Sequence, residues 1–121
     1  MRRPSYTENA NGPIITTAGV PGTLAAYCPD PAERRSPLVA PLLAADHSHL
    51  PPAFVAIAEH DPLRDEGRAY AERLKASGVA VQLDEGPGLF HGYLRAMPYS
   101  PFIRATLARA GDWLRAQAAK R

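Results

Sequence analysis

Asp61 and His91 are the residues of this 121-residue chain whose types and surroundings could do chemistry together. A carboxylate that accepts the Nδ1 proton of an imidazole fixes its tautomer and stabilises the imidazolium. Nε2 is then left to take a proton from a nucleophile and return it to a leaving group. Such a pair directs proton transfer but does not itself attack a carbonyl. Other candidates carry less. His47-Ser48-His49 has the spacing of a metal pair, yet two histidines in a proline-rich loop lack the remaining ligands, so no metal site is expected. Asp65 and Glu66 read as first-turn helix residues, where the helix dipole favours negative charge. His60 reads as a loop residue or pocket liner, and Phe90, Tyr93 and Trp113 as core packing.

Elements must bring the acid and the base together. Residues 54–58 (Phe-Val-Ala-Ile-Ala) form a short, wholly apolar run, expected as a strand buried on both faces of a parallel sheet. Residues 65–78 read as a helix. Its apolar face carries Tyr70, Ala71, Leu74 and Ser77 at spacings of three and four, with Gly78 as the stop. Residues 79–83 alternate and are β-branched enough for a second strand. Strand, helix and strand then make one right-handed βαβ unit with parallel strands.

In open parallel sheets, functional residues gather just past the C-terminal ends of the strands. Asp61 lies three residues beyond the first apolar run, and His91 lies in the loop that Gly86-Pro87-Gly88 opens after the second strand. The unit should therefore deliver both to one edge of the sheet. A last helix is expected from Pro101 to about Ala118, with Ile103, Leu107, Ala110 and Leu114 on one face and Trp113 beside them.

Proline and glycine crowd the chain before Ala53, as in Asn11-Gly12-Pro13, Gly19-Val20-Pro21-Gly22 and Cys28-Pro29-Asp30-Pro31. Proline removes a donor and restricts its predecessor, so only brief helical turns are expected there, near residues 24–27 and 41–45. The chain thus divides into a Pro-rich, cap-like segment, 1–52, and a βαβα unit, 53–121.

The local wording adds a family. Glu59-His60-Asp61-Pro62-Leu63-Arg64-Asp65-Glu66-Gly67, with Pro87-Gly88-Leu89-Phe90-His91-Gly92-Tyr93 downstream, resembles the acid and histidine segments of the hormone-sensitive-lipase-like esterases. Tyr6 to Pro13 and Pro29-Asp30-Pro31-Ala32 are similar to segments that lie in that family between nucleophile and acid and help build the substrate pocket. The resemblance implies an α/β-hydrolase fold, of which this chain would be the incomplete C-terminal βαβα part, and hydrolysis of carboxylic esters. Carried over by position, Asp61 would orient the base, and His91 would be the general base and acid.

In that fold the triad runs Ser, then Asp or Glu, then His, with the serine in a Gly-x-Ser-x-Gly elbow. The serines are Ser5, Ser36, Ser48, Ser77 and Ser100, and none has glycine two positions to either side. Cys28 is flanked by Ala26 and Asp30, and no two glycines are adjacent, so neither a substitute nucleophile nor a His-Gly-Gly-Gly-type oxyanion loop is present. The missing pieces are expected upstream of Met1. Gly19-Val20-Pro21-Gly22 departs from the family, which has a continuous helix there; glycine and proline disfavour helix by about 1 and 3 kcal/mol each.

Fourteen basic and twelve acidic residues, spread without blocks, give a formal charge of +2 and argue against nucleic acid or an anionic membrane as partner. The one cysteine, Cys28, cannot form an internal disulfide, and no apolar run approaches the roughly 20 residues of a membrane span. The start, Met1-Arg2-Arg3-Pro4-Ser5-Tyr6, lacks the apolar stretch of a secretory signal, so a cytoplasmic setting is expected. No cofactor is expected. Two functions remain open. One is a serine esterase completed elsewhere, on a longer reading frame or a companion chain, acting on a small-molecule ester. The other is a non-catalytic remnant serving at most as an interaction or dimerisation module, through residues 79–83 and the Ile103 to Leu114 face. In either case the isolated chain is expected to be marginally stable, or partnered.

Overall fold

Two strands and one long connecting helix organise the chain, and everything else packs around them. The computed structural model describes residues 3–120. Met1, Arg2 and Arg121, with the reading of the extreme N-terminus and the outer bounds of the two segments, lie outside the described residues. In order, the elements are α1 (Ser5–Glu8), α2 (Val20–Tyr27), β1 (Ala53–Ala56), α3 (Arg64–Ala76), β2 (Val81–Asp84) and α4 (Pro101–Ala118). Single 3-10 turns cover Glu33–Arg35, Pro41–Leu43 and Tyr93–Ala96.

β1 and β2 pair in parallel, Ala53 opposite Val81 and Ala56 opposite Asp84, with α3 as the crossover, as the βαβ reading requires. The bounds shift by a residue or two. Backbone pairing continues past β1, since the Ile57 and Glu59 N–H groups donate to the carbonyls of Asp84 and Gly86. The start of the predicted second strand is taken by the turn out of α3. There Gly78 has φ +80° and the Val79 N–H donates to the Leu74 carbonyl.

β1 is not buried on both faces. Ala53, Phe54 and Val55 are half-buried and Ala56 is exposed, while full burial begins at Ile57 and Ala58. A sheet that has two strands among the described residues covers too little of its own surface to seal both faces.

α3 buries Ala69, Ala71 and Leu74. The face of α4 differs from expectation. Ile103 is buried, but Leu107 and Leu114 are 40% and 57% exposed, and the second residue α4 buries is Thr106. A narrow sheet contacts only a thin stripe of a helix, and here that stripe runs through Ile103, Thr106 and the half-buried Trp113, whose ring meets Phe54 edge-on at 6.1 Å. The core joins this stripe to the site: Ala58, Leu89, Tyr93 and Ile103 cluster, with Ala96 packed against them. Phe90, expected in the core, is 41% exposed, and its neighbour Leu89 takes the buried place instead.

The Pro-rich segment holds more structure than expected. α1 was not anticipated, and α2 begins at Val20, four residues before the predicted turn. Pro21 lies in the first turn of α2, where its missing N–H costs nothing because the first turn has no intrahelical acceptor for it. The Gly19 to Gly22 stretch therefore starts a helix instead of breaking one.

Candidate functional site

The spacing of Asp61 and His91 follows from how the sheet frays. Paired residues stand 28 positions apart in the strands, as in Ala53 with Val81, but 30 apart at the isolated parallel bridge between His60 and Phe90. The two additional residues are taken up by the turn at Gly86 to Gly88. There both glycines have positive φ and the Leu89 N–H closes on the Gly86 carbonyl. Gly86 is required on a second count, since a Cβ there would collide with the Ile57 carbonyl oxygen. Asp61 and His91 each follow one member of the bridge, so they leave the sheet side by side.

Their side chains meet. His91 Nδ1 lies 2.9 Å from Asp61 Oδ2, and the other carboxylate oxygen, Oδ1, accepts the Leu63 N–H at 2.8 Å. Pro62 between them has no N–H to compete and is itself buried. An ionised carboxylate can only accept, so this geometry puts the proton of a neutral imidazole on Nδ1 and leaves Nε2 to exchange one. The Asp61 side chain is 13% exposed and that of His91 37%, so the carboxylate is shielded while the imidazole reaches the surface.

The loop holding Asp61 is fixed by residues that sequence reasoning did not single out. Ser5 is fully buried against the start of α3, its hydroxyl donating to the Pro62 carbonyl at 2.7 Å. The Asn9 carboxamide donates to the carbonyls of Glu59 and Asp61, both at 3.2 Å. Arg64 reaches Glu8 at 2.6 Å and Asp65 at 2.9 Å. On the His91 side, Glu59 Oε2 accepts the Gly88 N–H at 2.7 Å. The available signal was the family-like stretch around Tyr6 to Pro13, whose partners lie some 50 positions away and are invisible to local pattern.

Of the other candidates, Asp65 and Glu66 do occupy the first turn of α3. His60 is exposed, in the bridge to Phe90. His47 is buried, its Nε2 3.0 Å from the Pro41 carbonyl and its ring edge-on to Tyr70 at 5.9 Å, so it acts as a packing residue. Among the described residues no three His, Cys, Asp or Glu side chains converge as metal ligands. Among the described residues no helix is long and apolar enough to cross a membrane.

A cavity of about 490 Å³ opens beside His91, walled by Ile14, Ile15, Val20, Leu24, Tyr27 and Leu63. Its size and apolar lining suit a small organic ligand, with the His91 imidazole at its end. Residues 1–95 match the family described as the alpha/beta hydrolase fold. The chain belongs to this family.

The likeness to esterases read from the sequence is borne out by individual relatives. This chain is 47% identical over 94 residues to carboxylesterase NlhH of Mycobacterium tuberculosis, covering 75% of this chain and 30% of that protein. It is 40% identical over 94 residues to ethyl acetate hydrolase of Pseudomonas putida, covering 78% of this chain and 30% of the relative. The crystal structure of EstE1, a thermophilic carboxylesterase cloned from a metagenomic library, superposes with a TM-score of 0.88 at 32% identity over 97% of this chain and 40% of that one. This chain thus spans 30% of the length of these two curated relatives, and the two parallel strands among its described residues, with their flanking helices, are an incomplete α/β-hydrolase sheet.

Proposed function

We propose that this chain is the acid-and-base portion of a serine carboxylic-ester hydrolase, with Asp61 orienting His91 and His91 moving the proton. The observation that carries the reading is the 2.9 Å approach of His91 Nδ1 to Asp61 Oδ2 at the end of an apolar cavity. With the proton on Nδ1, Nε2 would take the proton of a serine hydroxyl as its oxygen bonds to the ester carbonyl carbon. It would then hand that proton to the departing alcohol. Water would repeat the cycle on the acyl-serine, releasing the carboxylic acid and restoring the serine. The serine elbow and the oxyanion donors would come from sequence outside this chain, so the chain alone is expected to be inactive.

The test is hydrolysis of p-nitrophenyl esters of short acyl chains by the chain alone, and by the chain joined to the nucleophile-bearing portion of an esterase relative. No turnover alone, and turnover in the joined protein that falls about 10⁴-fold in Asp61→Asn, support the reading. Turnover by the chain alone that His91→Ala abolishes would show that it holds its own nucleophile and overturn this part of it.

A second reading, a module that associates without catalysis, is favoured by the apolar residues left open on α4, where Phe102 and Leu114 are 51% and 57% exposed. The occupant would be a second copy or a companion chain. Sedimentation of the purified chain as a monomer across a wide concentration range would rule out the second copy.

A further inference from the structure

The segment before the cavity is stapled to the acid loop and the start of α3 through Ser5, Tyr6, Glu8 and Asn9. Ser5 and Asp65 bond each other, and Ser5 Oγ holds the Pro62 carbonyl. Asn9 serves the loop more than the segment: its single Nδ2 donates to the carbonyls of Glu59 and Asp61. These carbonyls lie on either side of His60, where the chain leaves the sheet and bends into Pro62. One carboxamide nitrogen carries two N–H groups, so it can satisfy both carbonyls without bringing a charge to them; a hydroxyl has one donor, and a carboxylate none.

Asp61 is thereby held at both ends of its own geometry. Its carbonyl accepts from Asn9 Nδ2 at 3.2 Å and from the Arg64 N–H at 3.1 Å, and its Oδ1 from the Leu63 N–H. With those two points fixed, Oδ2 has little freedom in where it meets His91. Two further side chains hold this bend: Arg64 Nη1 reaches the Glu59 carbonyl at 3.2 Å, from a long side chain already shared with Glu8 and Asp65, and Ser5 Oγ reaches the Pro62 carbonyl at 2.7 Å, but neither bonds the Asp61 carbonyl. We infer that Asn9 is a positioning residue for the acid: its carboxamide sets the place of the Asp61 carboxylate and, through it, the tautomer of His91. This rests on the reading of Asp61 and His91 as acid and base.

The experiment reads the tautomer of neutral His91 from the ¹⁵N shifts of its ring nitrogens in the full chain. Wild type is expected to hold the Nδ1–H form, and Asp61→Asn to lose it. Asn9→Ala and the isosteric Asn9→Asp, which keeps the shape but cannot donate, are each expected to move the Nδ1–H to Nε2–H ratio about fivefold toward Nε2–H. That shift is the equivalent of one neutral hydrogen bond of about 1 kcal/mol. Tyr6→Phe, which removes the 3.2 Å bond of the Tyr6 hydroxyl to Glu66 in α3, should leave the ratio unchanged. Should Asn9→Ala fail to fold, Asn9→Asp carries the test. A ratio that responds to Asp61→Asn but to neither Asn9 variant, or that moves as far in Tyr6→Phe, overturns this inference alone. A ratio indifferent to Asp61→Asn removes the acid–base reading, and this inference with it.

Discussion

Ser5 and Asp65, sixty positions apart, cap one another: the Ser5 N–H donates to Asp65 Oδ2 at 2.9 Å, and the Asp65 N–H donates to Ser5 Oγ at 3.3 Å. This is the reciprocal pattern of a helix capping box, built between two segments instead of within one. It meets a real need, since Leu63 at the start of α3 has no side chain that can accept the first-turn N–H groups. The amino-terminal segment is thus tied to the helix that follows Asp61.

Replacing Ser5 should therefore cost stability out of proportion to its size. Ser5→Ala loses the cap and leaves the Pro62 carbonyl without its 2.7 Å donor in a fully buried place. A loss of about 1 to 3 kcal/mol is expected from a removed cap and a stranded carbonyl. Urea denaturation followed by circular dichroism measures it, and an unchanged midpoint would show that the Ser5 contacts are not formed in solution.

The same pair makes stability depend on acid. Burial pushes the Asp65 carboxyl up, but the Ser5 N–H and the Arg64 guanidinium, with help from Arg68, outweigh it and hold the group below its ordinary value of 3.8. A carboxylate with a depressed folded value stabilises the fold above the unfolded value and loses that contribution as pH falls through the folded one. Wild type and Asp65→Asn should then differ most near neutrality and converge below about pH 4. Denaturation midpoints of the two proteins across pH decide it; a gap that stays constant into acid would contradict the assigned cause.

Gly86 is the position where the site's spacing depends on backbone freedom. Its φ is +56°, and a methyl group there would strike the Ile57 carbonyl oxygen, which belongs to backbone and cannot swing away. Gly86→Ala is expected to destabilise by about 2 kcal/mol or more from the left-handed conformation and the clash together. By disturbing the turn that converts an offset of 28 into one of 30, it should also weaken the approach of His91 to Asp61. Thermal unfolding reads the first effect, and the ¹⁵N shifts of His91 the second. A variant as stable as wild type would mean that the turn can be made another way.

How much of this was legible beforehand follows from the range of each signal. The apolar run at Phe54 and the periodicity of Leu74 are local, and they announced β1 and α3 to within a few residues. Asp61 and His91 were legible because each sits in a local sequence setting, a strand end followed by a turn. Asn9 and Ser5 were not, because their partners are main-chain groups some fifty to sixty positions away, and a carbonyl leaves no mark in the sequence. Leu107 and Leu114 misled for a related reason: periodicity announces an apolar face, but the width of the sheet beneath α4 decides how much of it is covered. Pro21 misled because its effect reverses between the interior of a helix and its first turn.

Tyr93 carries the fold's exception. Its ring belongs to the core cluster, two residues after His91, yet its hydroxyl is buried without a hydrogen-bond partner among the described residues. Burial pushes its ionisation above the ordinary value, the Asp84 carboxylate adds to this, and Arg109 opposes it. An unpartnered buried hydroxyl costs about 1 to 3 kcal/mol, whereas removing it leaves a ring of the same shape. Tyr93→Phe should therefore stabilise the chain by about 1 kcal/mol and raise its thermal midpoint by a few degrees. The alkaline limb gives a second reading. A group whose folded value is raised favours the fold below its unfolded value and loses that contribution as pH rises through the folded one. Wild type should thus weaken above about pH 10 by more than Tyr93→Phe does. If the phenylalanine variant melts lower, the hydroxyl has a partner in solution, and the core beside His91 is more polar than its apolar lining suggests.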